Sequence, residues 1–202
     1  MSKRNGKLSY SSLTLDDLQQ RFKLALRLEA VFTKVVPIAP PELLREALQR
    51  AGSLAMVSEK ARAEFIVAPI LLEMREQLHQ AVSIYSGVRF DVSPAEGLQG
   101  ICDFMVTKSP PLPVVQAPVL VLVEAKKNDL DEGLGQCGAE MLAAQRFNLR
   151  DNLPGVTVFG CVTTGELWQF LKLEETNLVI DPEKLYIDSL AKILGTLVKM
   201  GQ

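Results

Sequence analysis

The segment VLVLVEAKK, at residues 119–127, constrains the fold more than any other part of the sequence. Its five apolar residues predict a β-strand, and the strand ends in Glu124, Ala125 and Lys126. Side chains alternate between the two faces of a strand, so Glu124 and Lys126 should leave on the same side and Ala125 on the other. Many ordinary strands also end in polar residues, so this pattern alone does not define a site.

A single acid, Asp103, stands between Ile101 and Met105 in the preceding apolar segment, GICDFMV. A carboxylate beside a buried sheet face is costly unless a cation, hydrogen bonds or a lysine meets it. An ion pair with Lys126 is one way to meet that need. The leading hypothesis is a site in which two carboxylates and a lysine from neighbouring strands hold a divalent cation, a phosphate and a water together.

Helical patterns fill the N-terminal part of the chain. Residues 1–12 are polar and are predicted to be a disordered tail. Residues 14–17 fit a capping box that opens an amphipathic helix, predicted to end near Phe32. Pro41 is well placed as the first residue of a short second helix, which Gly52 stops. These two helices could form an accessory layer, a partner-binding hairpin or a dimer surface.

The rest of the chain alternates strands with helices. Ser58 caps a long helical stretch in which Pro69 should introduce a kink. A second long helix is predicted from about Leu130 to Leu149, and a short amphipathic helix ends the chain. The predicted strands are AVSIYSG, VRFDV, ICDFMVTK, the segment at 119–127, GVTVFGCVTT and ELWQFLKLE. This order predicts an α/β fold with a mixed central sheet flanked by helices, plus an N-terminal helical extension.

The letters GLGQCG, at residues 133–138, match the glycine pattern of dinucleotide-binding turns. The context differs, because a mostly polar hexapeptide separates this segment from its strand and the next strand ends without the acid that would bind a ribose. A nucleotide-binding α/β enzyme is therefore a weaker alternative. We expect the glycines to let the helix approach the sheet, which would bring Gln136 within reach of Glu124 and Lys126. Exposure of Gln136 on the surface is the other interpretation.

The composition limits the classes of function. A net charge of −2 gives no bulk electrostatic argument for nucleic acid, so any such contact needs a local basic patch. Three cysteines without paired spacing and a single histidine argue against a disulfide framework or a zinc cluster, so buried thiols are expected. The longest uncharged run contains four prolines and is too short to cross a bilayer. We therefore expect a soluble, cytoplasmic protein without a membrane partner.

The acid at Asp103, the EAK tripeptide at 124–126 and the helix that carries Gln136 together resemble the motifs of the PD-(D/E)XK nuclease superfamily. The preceding helix, SEKARAEFIVAPILLEM, is similar to the first motif of that superfamily. It is also similar to the nuclease segment of type I restriction subunits and of uncharacterised bacterial relatives. The resemblance covers about residues 58–173, and Cys102 replaces the motif's proline. It implies a restriction-endonuclease-like core within the α/β fold.

The resemblance also implies metal-dependent hydrolysis of phosphodiester bonds in DNA. Asp103 and Glu124 would bind Mg²⁺, for which Mn²⁺ can substitute, with help from the Ala125 carbonyl and the scissile phosphate. Lys126 would orient or deprotonate the attacking water and stabilise the charge that develops on the phosphate. Gln136 would position the phosphate or the lysine.

An acid on the first helix of the nuclease core would complete the outer metal shell. Glu59 is favoured because it stands ten residues before Pro69, and Glu64 is the alternative. Residues 1–57 would form the tail and helical extension, and residues 58–202 the nuclease-like domain, with a homodimer as one allowed assembly. The alternative hypothesis is a catalytically silent nuclease fold that serves as a nucleic-acid or protein interaction module.

Overall fold

A computed structural model describes residues 8–202 of the chain, and a seven-stranded mixed sheet forms its centre. The strands are β1 (Ala25–Leu28), β2 (Ser83–Arg89), β3 (Ile101–Thr107), β4 (Val119–Ala125), β5 (Val158–Thr163), β6 (Leu167–Glu174) and β7 (Asn177–Tyr186). Their spatial order is β1-β7-β6-β5-β4-β3-β2. β1 pairs with β7 and β4 with β5 in parallel, and the remaining neighbours are antiparallel.

Helices cover both faces of the sheet. They are α1 (Leu15–Gln20), α2 (Glu42–Ala51), α3 (Glu59–Arg62), α4 (Ala68–Gln77), α5 (Asp131–Arg150) and α6 (Leu190–Met200). α1 and α5 pack on one face, and α2, α4 and α6 pack on the other. The predicted α/β class with a mixed sheet between helices is confirmed. Within the described residues, no helix is both long and apolar enough to cross a membrane.

The apolar run of β4 is continuous because both of its faces are buried. Leu122 belongs to the core beneath α5, whereas Val121 and Val123 belong to the core beneath α4 and α6. A strand covered by helices on both sides has no solvent-facing positions for polar residues until it ends. β4 therefore lies in the middle of the protein, and its polar C-terminal end is where chemistry can be placed.

The long helix predicted from residue 14 ends much earlier than expected. The capping box is present, since Thr14 Oγ1 accepts from the Asp17 N–H and the Asp17 carboxylate accepts from the Thr14 N–H. However, α1 stops at Gln20, and Lys23 adopts a left-handed conformation with φ 59° that turns the chain. The segment that follows forms β1 instead of helix, because pairing with β7 completes the sheet.

The predicted disordered tail is also wrong for the part that the structure describes. Residues 1–7 lie outside the described part of the chain. Tyr10 is 1% exposed, and its hydroxyl donates a 2.6 Å hydrogen bond to the Phe90 carbonyl. A buried aromatic ring with a satisfied hydroxyl ties this segment to the core.

The two predicted helices between residues 41 and 80 are present. Pro41 is the N-cap of α2, and the Ser58 hydroxyl accepts a hydrogen bond from the Ala61 N–H at the start of α3. A π-helical turn, Ala63–Val67, joins α3 to α4, and Pro69 is the second residue of α4. Proline lacks the N–H that an α-helix would use there, so the irregularity falls where the sequence predicted a disturbance.

The sequence did not predict β7, which has β1 and β6 as neighbours. Its sequence NLVIDPEKLY holds a proline and four consecutive half-exposed or exposed positions, and the register with β6 shifts there. A bulge explains how a proline is accommodated in a paired strand. Residues 8–57 therefore supply β1 to the same sheet as residues 58–202. The sheet contains strands from both sides of the predicted boundary at residue 57.

Candidate active site

β3 and β4 bring two carboxylates to the same end of the sheet. The antiparallel ladder between them includes the pair Phe104–Val123, and Asp103 and Glu124 occupy the next positions. Here the hydrogen bond between the strands comes from a side chain and not from the backbone ladder, because Asp103 Oδ2 accepts a 2.9 Å hydrogen bond from the Ala125 N–H. Asp103 therefore fixes the end of β4 and brings its charge close to Glu124.

Lys126 leaves the end of β4 on the same side as Glu124. The lysine Nζ lies 2.7 Å from Glu124 Oε1, and 12% of the lysine and 3% of the glutamate side chain are exposed. The Lys126 N–H donates to the Thr163 carbonyl at 2.7 Å, so the end of β5 fixes the backbone from which the lysine starts. The shared side that strand alternation predicts is confirmed.

α5 brings the Gln136 amide to the lysine. Gln136 Oε1 accepts a hydrogen bond from Lys126 Nζ at 3.1 Å, so the interpretation of Gln136 as a simple surface residue is wrong. The helix comes this close because residue 133 is glycine. A Cβ on Gly133 would lie 2.5 Å from Val162 Cγ1 and 3.1 Å from Lys126 Cγ. The predicted close approach of this helix to the sheet is confirmed at Gly133.

The other two glycines of the GLGQCG segment serve a different contact. A Cβ on Gly135 would lie 2.5 Å from the Leu13 carbonyl, and one on Gly138 would lie 2.6 Å from the Leu18 side chain. The N-terminal segment therefore packs directly on the glycines of α5. Because all three glycines lie inside α5 and not in a turn between a strand and a helix, the geometry disfavours the nucleotide-binding alternative.

Glu140 is a member of the cluster that the sequence reasoning missed. It lies one turn after Gln136 on α5 and is fully buried. Its Oε1 accepts a 3.1 Å hydrogen bond from Gln136 Nε2, and its Oε2 has no protein partner among the described residues. The available signal was an acid four positions after the glutamine on the face of α5 that otherwise packs apolar residues such as Met141.

The two candidate acids of the first helix lie beside this cluster. Glu59, Glu64 and Asp103 all line a groove of about 360 Å³ between α3 and the edge of the sheet. Glu59 is close enough for its charge to act on Asp103, Glu124 and Lys126. Glu64 instead forms a 2.7 Å ion pair with its helix neighbour Lys60.

Carboxyl groups outnumber the single ammonium within the cluster. Burial is the main cause that raises the pKa of Asp103, and burial followed by the Asp103 charge raises the pKa of Glu124 to about 7. Burial also raises the pKa of Glu140 well above its usual range. For Lys126, burial lowers the pKa, but the neighbouring carboxylates outweigh it, so the net shift is upward. One ammonium does not balance these carboxyl groups, and an added cation would stabilise their ionised forms.

The oxygen donors of the cluster suit a hard cation. Residues 8–202 contain no ready-made group of three His, Cys, Asp or Glu side chains that could hold a metal. Two carboxylates from adjacent strand ends are present, and Glu124 Oε2 is buried without a protein partner. Oxygen ligands supplemented by water and substrate phosphate are the usual environment of Mg²⁺, which seldom uses an all-protein cage. The oxygen atoms of the predicted ligands, Asp103, Glu124 and the Ala125 carbonyl, are therefore of the type that Mg²⁺ prefers.

Basic side chains late in α5 do not contribute to this site. Arg146 forms an ion pair with Glu96, and Arg150 donates to the Val92 carbonyl, so both hold the surrounding loops. These two arginines therefore do not form a basic patch around Lys126. Similarly, all three cysteines are free and buried, as predicted.

Comparison with models of known protein families gave no match, and comparison with curated proteins also gave none. The functional assignment therefore depends on the geometry of the site and on the resemblance of its motifs.

Proposed function

We propose that this protein is a Mg²⁺-dependent nuclease of the PD-(D/E)XK superfamily, with a restriction-endonuclease-like fold, and that it hydrolyses phosphodiester bonds in DNA. The observation that carries the proposal is the convergence of Asp103, Glu124 and Lys126 from the ends of two adjacent strands. The excess of buried carboxyl groups around one lysine supports a function that includes a cation. DNA as the substrate rests on the resemblance of the motifs.

Asp103, Glu124 and the Ala125 carbonyl would hold the metal ion. When bound, Mg²⁺ supplies an activated water and neutralises charge on the phosphate. Asp103 is suited to this role because the Ala125 N–H already fixes its carboxylate. Glu124 is suited because Lys126 occupies one of its oxygens and the other has no protein partner among the described residues.

Lys126 would act on the reacting atoms themselves. Its ammonium is held by Glu124 Oε1 and Gln136 Oε1, which leaves one of its three N–H groups for a water or a phosphate oxygen. During hydrolysis the water oxygen bonds to phosphorus while the bond from phosphorus to the leaving oxygen breaks. As an ammonium, Lys126 would orient that water through its remaining N–H and stabilise the negative charge on the phosphate, while the water's proton passes to solvent.

The test is cleavage of supercoiled plasmid, single-stranded DNA and RNA with Mg²⁺ or Mn²⁺. Replacing Lys126 with alanine removes a hydrogen-bond donor from the transition state, so we expect a loss of roughly 100- to 1,000-fold in the cleavage rate. Lys127→Ala is the matched control, because Lys127 is the adjacent lysine and is exposed. It should cut at nearly the wild-type rate. Equal cutting by both variants would contradict the role of Lys126.

The second candidate is a catalytically silent member of the same fold that binds nucleic acid or a protein. The observation in its favour is that the described residues hold no preformed three-residue metal group. A wild-type protein that neither cuts any of these substrates nor binds Mn²⁺ would support this candidate. A wild-type protein that binds the metal without cutting would indicate that the tested substrates are wrong.

A further inference from the structure

Glu140 has a position that core packing does not explain. The same face of α5 is otherwise filled by small or apolar residues, such as Cys137, Met141 and Ala144. A fully buried carboxyl group costs free energy unless its oxygens are well bonded, and Oε2 of Glu140 has no protein partner among the described residues. A leucine at this position would fill the space without that cost, so the acid needs another explanation.

The hydrogen bonds of Gln136 provide an explanation for the buried acid at position 140. An amide side chain has one acceptor end and one donor end, and Lys126 Nζ can only donate. The lysine therefore requires Gln136 Oε1, which lies 3.1 Å away, and this orientation directs Nε2 away from it. Glu140 Oε1 accepts a 3.1 Å hydrogen bond from Gln136 Nε2. Rotation of the amide by half a turn would face an NH₂ group to the ammonium and an oxygen to the Glu140 carboxyl.

We propose that Glu140 is a positioning residue that holds the Gln136 amide in the orientation that accepts from Lys126. In the observed orientation the Gln136 amide is bonded at both ends, to Glu140 through Nε2 and to Lys126 through Oε1, and Gln136 then holds the lysine together with Glu124. Glu140 does not touch the reacting atoms. The chain Glu140–Gln136–Lys126–Glu124 thus runs from the interior of α5 to the strand end. The catalytic consequence rests on the proposed nuclease function, whereas the effect on the lysine does not.

The test compares Glu140→Leu, which removes the acceptor, with Glu140→Gln, whose amide oxygen can still accept from Gln136. The first readout is the acetylation rate of Lys126 at fixed pH, followed by mass spectrometry, which needs no metal and no substrate. Glu140→Leu should raise that rate several-fold because the lysine loses a fixed acceptor, and Glu140→Gln should restore the wild-type rate. Met141→Leu is the matched control for a change in the buried face of α5 and should leave the rate unchanged.

The second readout is metal-dependent DNA cleavage together with the thermal midpoint. Glu140→Leu should lower the cleavage rate roughly 10- to 100-fold while the midpoint stays equal or rises, since a buried polar group has been removed. In a Gln136→Leu background, Glu140→Leu should have no further effect on the lysine or on cleavage. A merely structural role would instead lower the midpoint and leave the acetylation of Lys126 unchanged.

The outcomes separate the two proposals. Wild-type acetylation of Lys126 in Glu140→Leu, or in Gln136→Leu if the first variant does not fold, would overturn the positioning role whatever the activity. A wild-type protein that neither cuts nor binds Mn²⁺, combined with the expected change at Lys126, would reject the nuclease function and keep the positioning role.

Discussion

The two ends of β4 are completed by side chains in opposite ways. At the start, pairing with β5 begins only at Val121, and Asn148 of α5 bonds to Val119 instead. Asn148 Oδ1 accepts from the Val119 N–H and Nδ2 donates to the Val119 carbonyl, both at 2.8 Å. At the far end Asp103 accepts from the Ala125 N–H, but the surrounding carboxyl groups retain unpartnered oxygens.

This difference separates structural from functional burial of polar groups. Asn148 is 1% exposed, and its amide oxygen and nitrogen are both bonded to the strand, so it stabilises the sheet without further need. Glu124 and Glu140 are equally buried, but each has an oxygen without a protein partner in the described part of the chain. A fully satisfied polar group needs no further partner, whereas the unpartnered oxygens of two neighbouring carboxyl groups leave acceptors that a ligand could use.

Asn148→Leu should produce the largest change in stability. It leaves the N–H and the carbonyl of Val119 buried without partners, and each costs about 1–3 kcal/mol, so we expect a loss of roughly 4 kcal/mol in the free energy of unfolding. Urea denaturation measures it. Gln145→Ala is the control, because Gln145 makes a single exposed hydrogen bond to the Glu175 carbonyl, and it should cost less than about 1 kcal/mol. A loss below about 1 kcal/mol for Asn148→Leu would remove the contrast between the ends.

The carboxyl groups at the C-terminal end of β4 should change the stability of the protein with pH in the opposite sense from a stabilising ion pair. The pKa of Glu124 is raised to about 7 in the folded protein, against 4.5 for an unperturbed glutamate. The folded state therefore binds its proton more tightly, so this contribution to stability is complete below pH 4.5 and is lost as the pH rises through about 7. The loss should reach on the order of 3 kcal/mol, because one pKa unit corresponds to about 1.4 kcal/mol.

Glu124→Gln tests this effect, since the amide cannot ionise but its oxygen can still accept from Lys126. Without added metal, the variant should be more stable than the wild type at pH 8, and the difference should vanish near pH 4. Thermal unfolding in EDTA across this pH range measures it. A variant that is less stable at pH 8 would mean that the ion pair with Lys126 outweighs the cost of burying the carboxylate.

Burial and local pattern also explain which parts of the fold could be predicted from the sequence. β4, α5 and the neighbouring strands were predictable because their apolar patterns are long and both faces are buried. β1 and β7 were missed because β1 continues a helical pattern and β7 contains Pro182 among polar residues. Their identity depends on pairing with each other across the chain, which no local pattern contains.

In the candidate site, too, the local features could be predicted and the features that depend on packing could not. Glu124 and Lys126 were placed correctly on one side because strand alternation is local, and Gln136 followed from the glycine-rich start of α5. Glu140 was missed because an acid in a helix is usually exposed, and only the packed structure shows this one to be buried. The choice of Glu59 over Glu64 stays a prediction, since both acids line the same groove beside Asp103.

Glu59 and Glu64 should differ in their effect on metal binding, and this is the smallest expected effect. Glu59 acts electrostatically on Asp103 and Glu124, whereas Glu64 is held by Lys60. Glu59→Gln should weaken Mn²⁺ binding about tenfold, or about 1.4 kcal/mol, and Glu64→Gln by less than about twofold. Calorimetric titration of both variants measures this, and each serves as the control for the other. The reverse order would assign the outer metal-shell role to Glu64. Equal binding by both variants would mean that neither acid contributes to the metal site at the C-terminal end of β4.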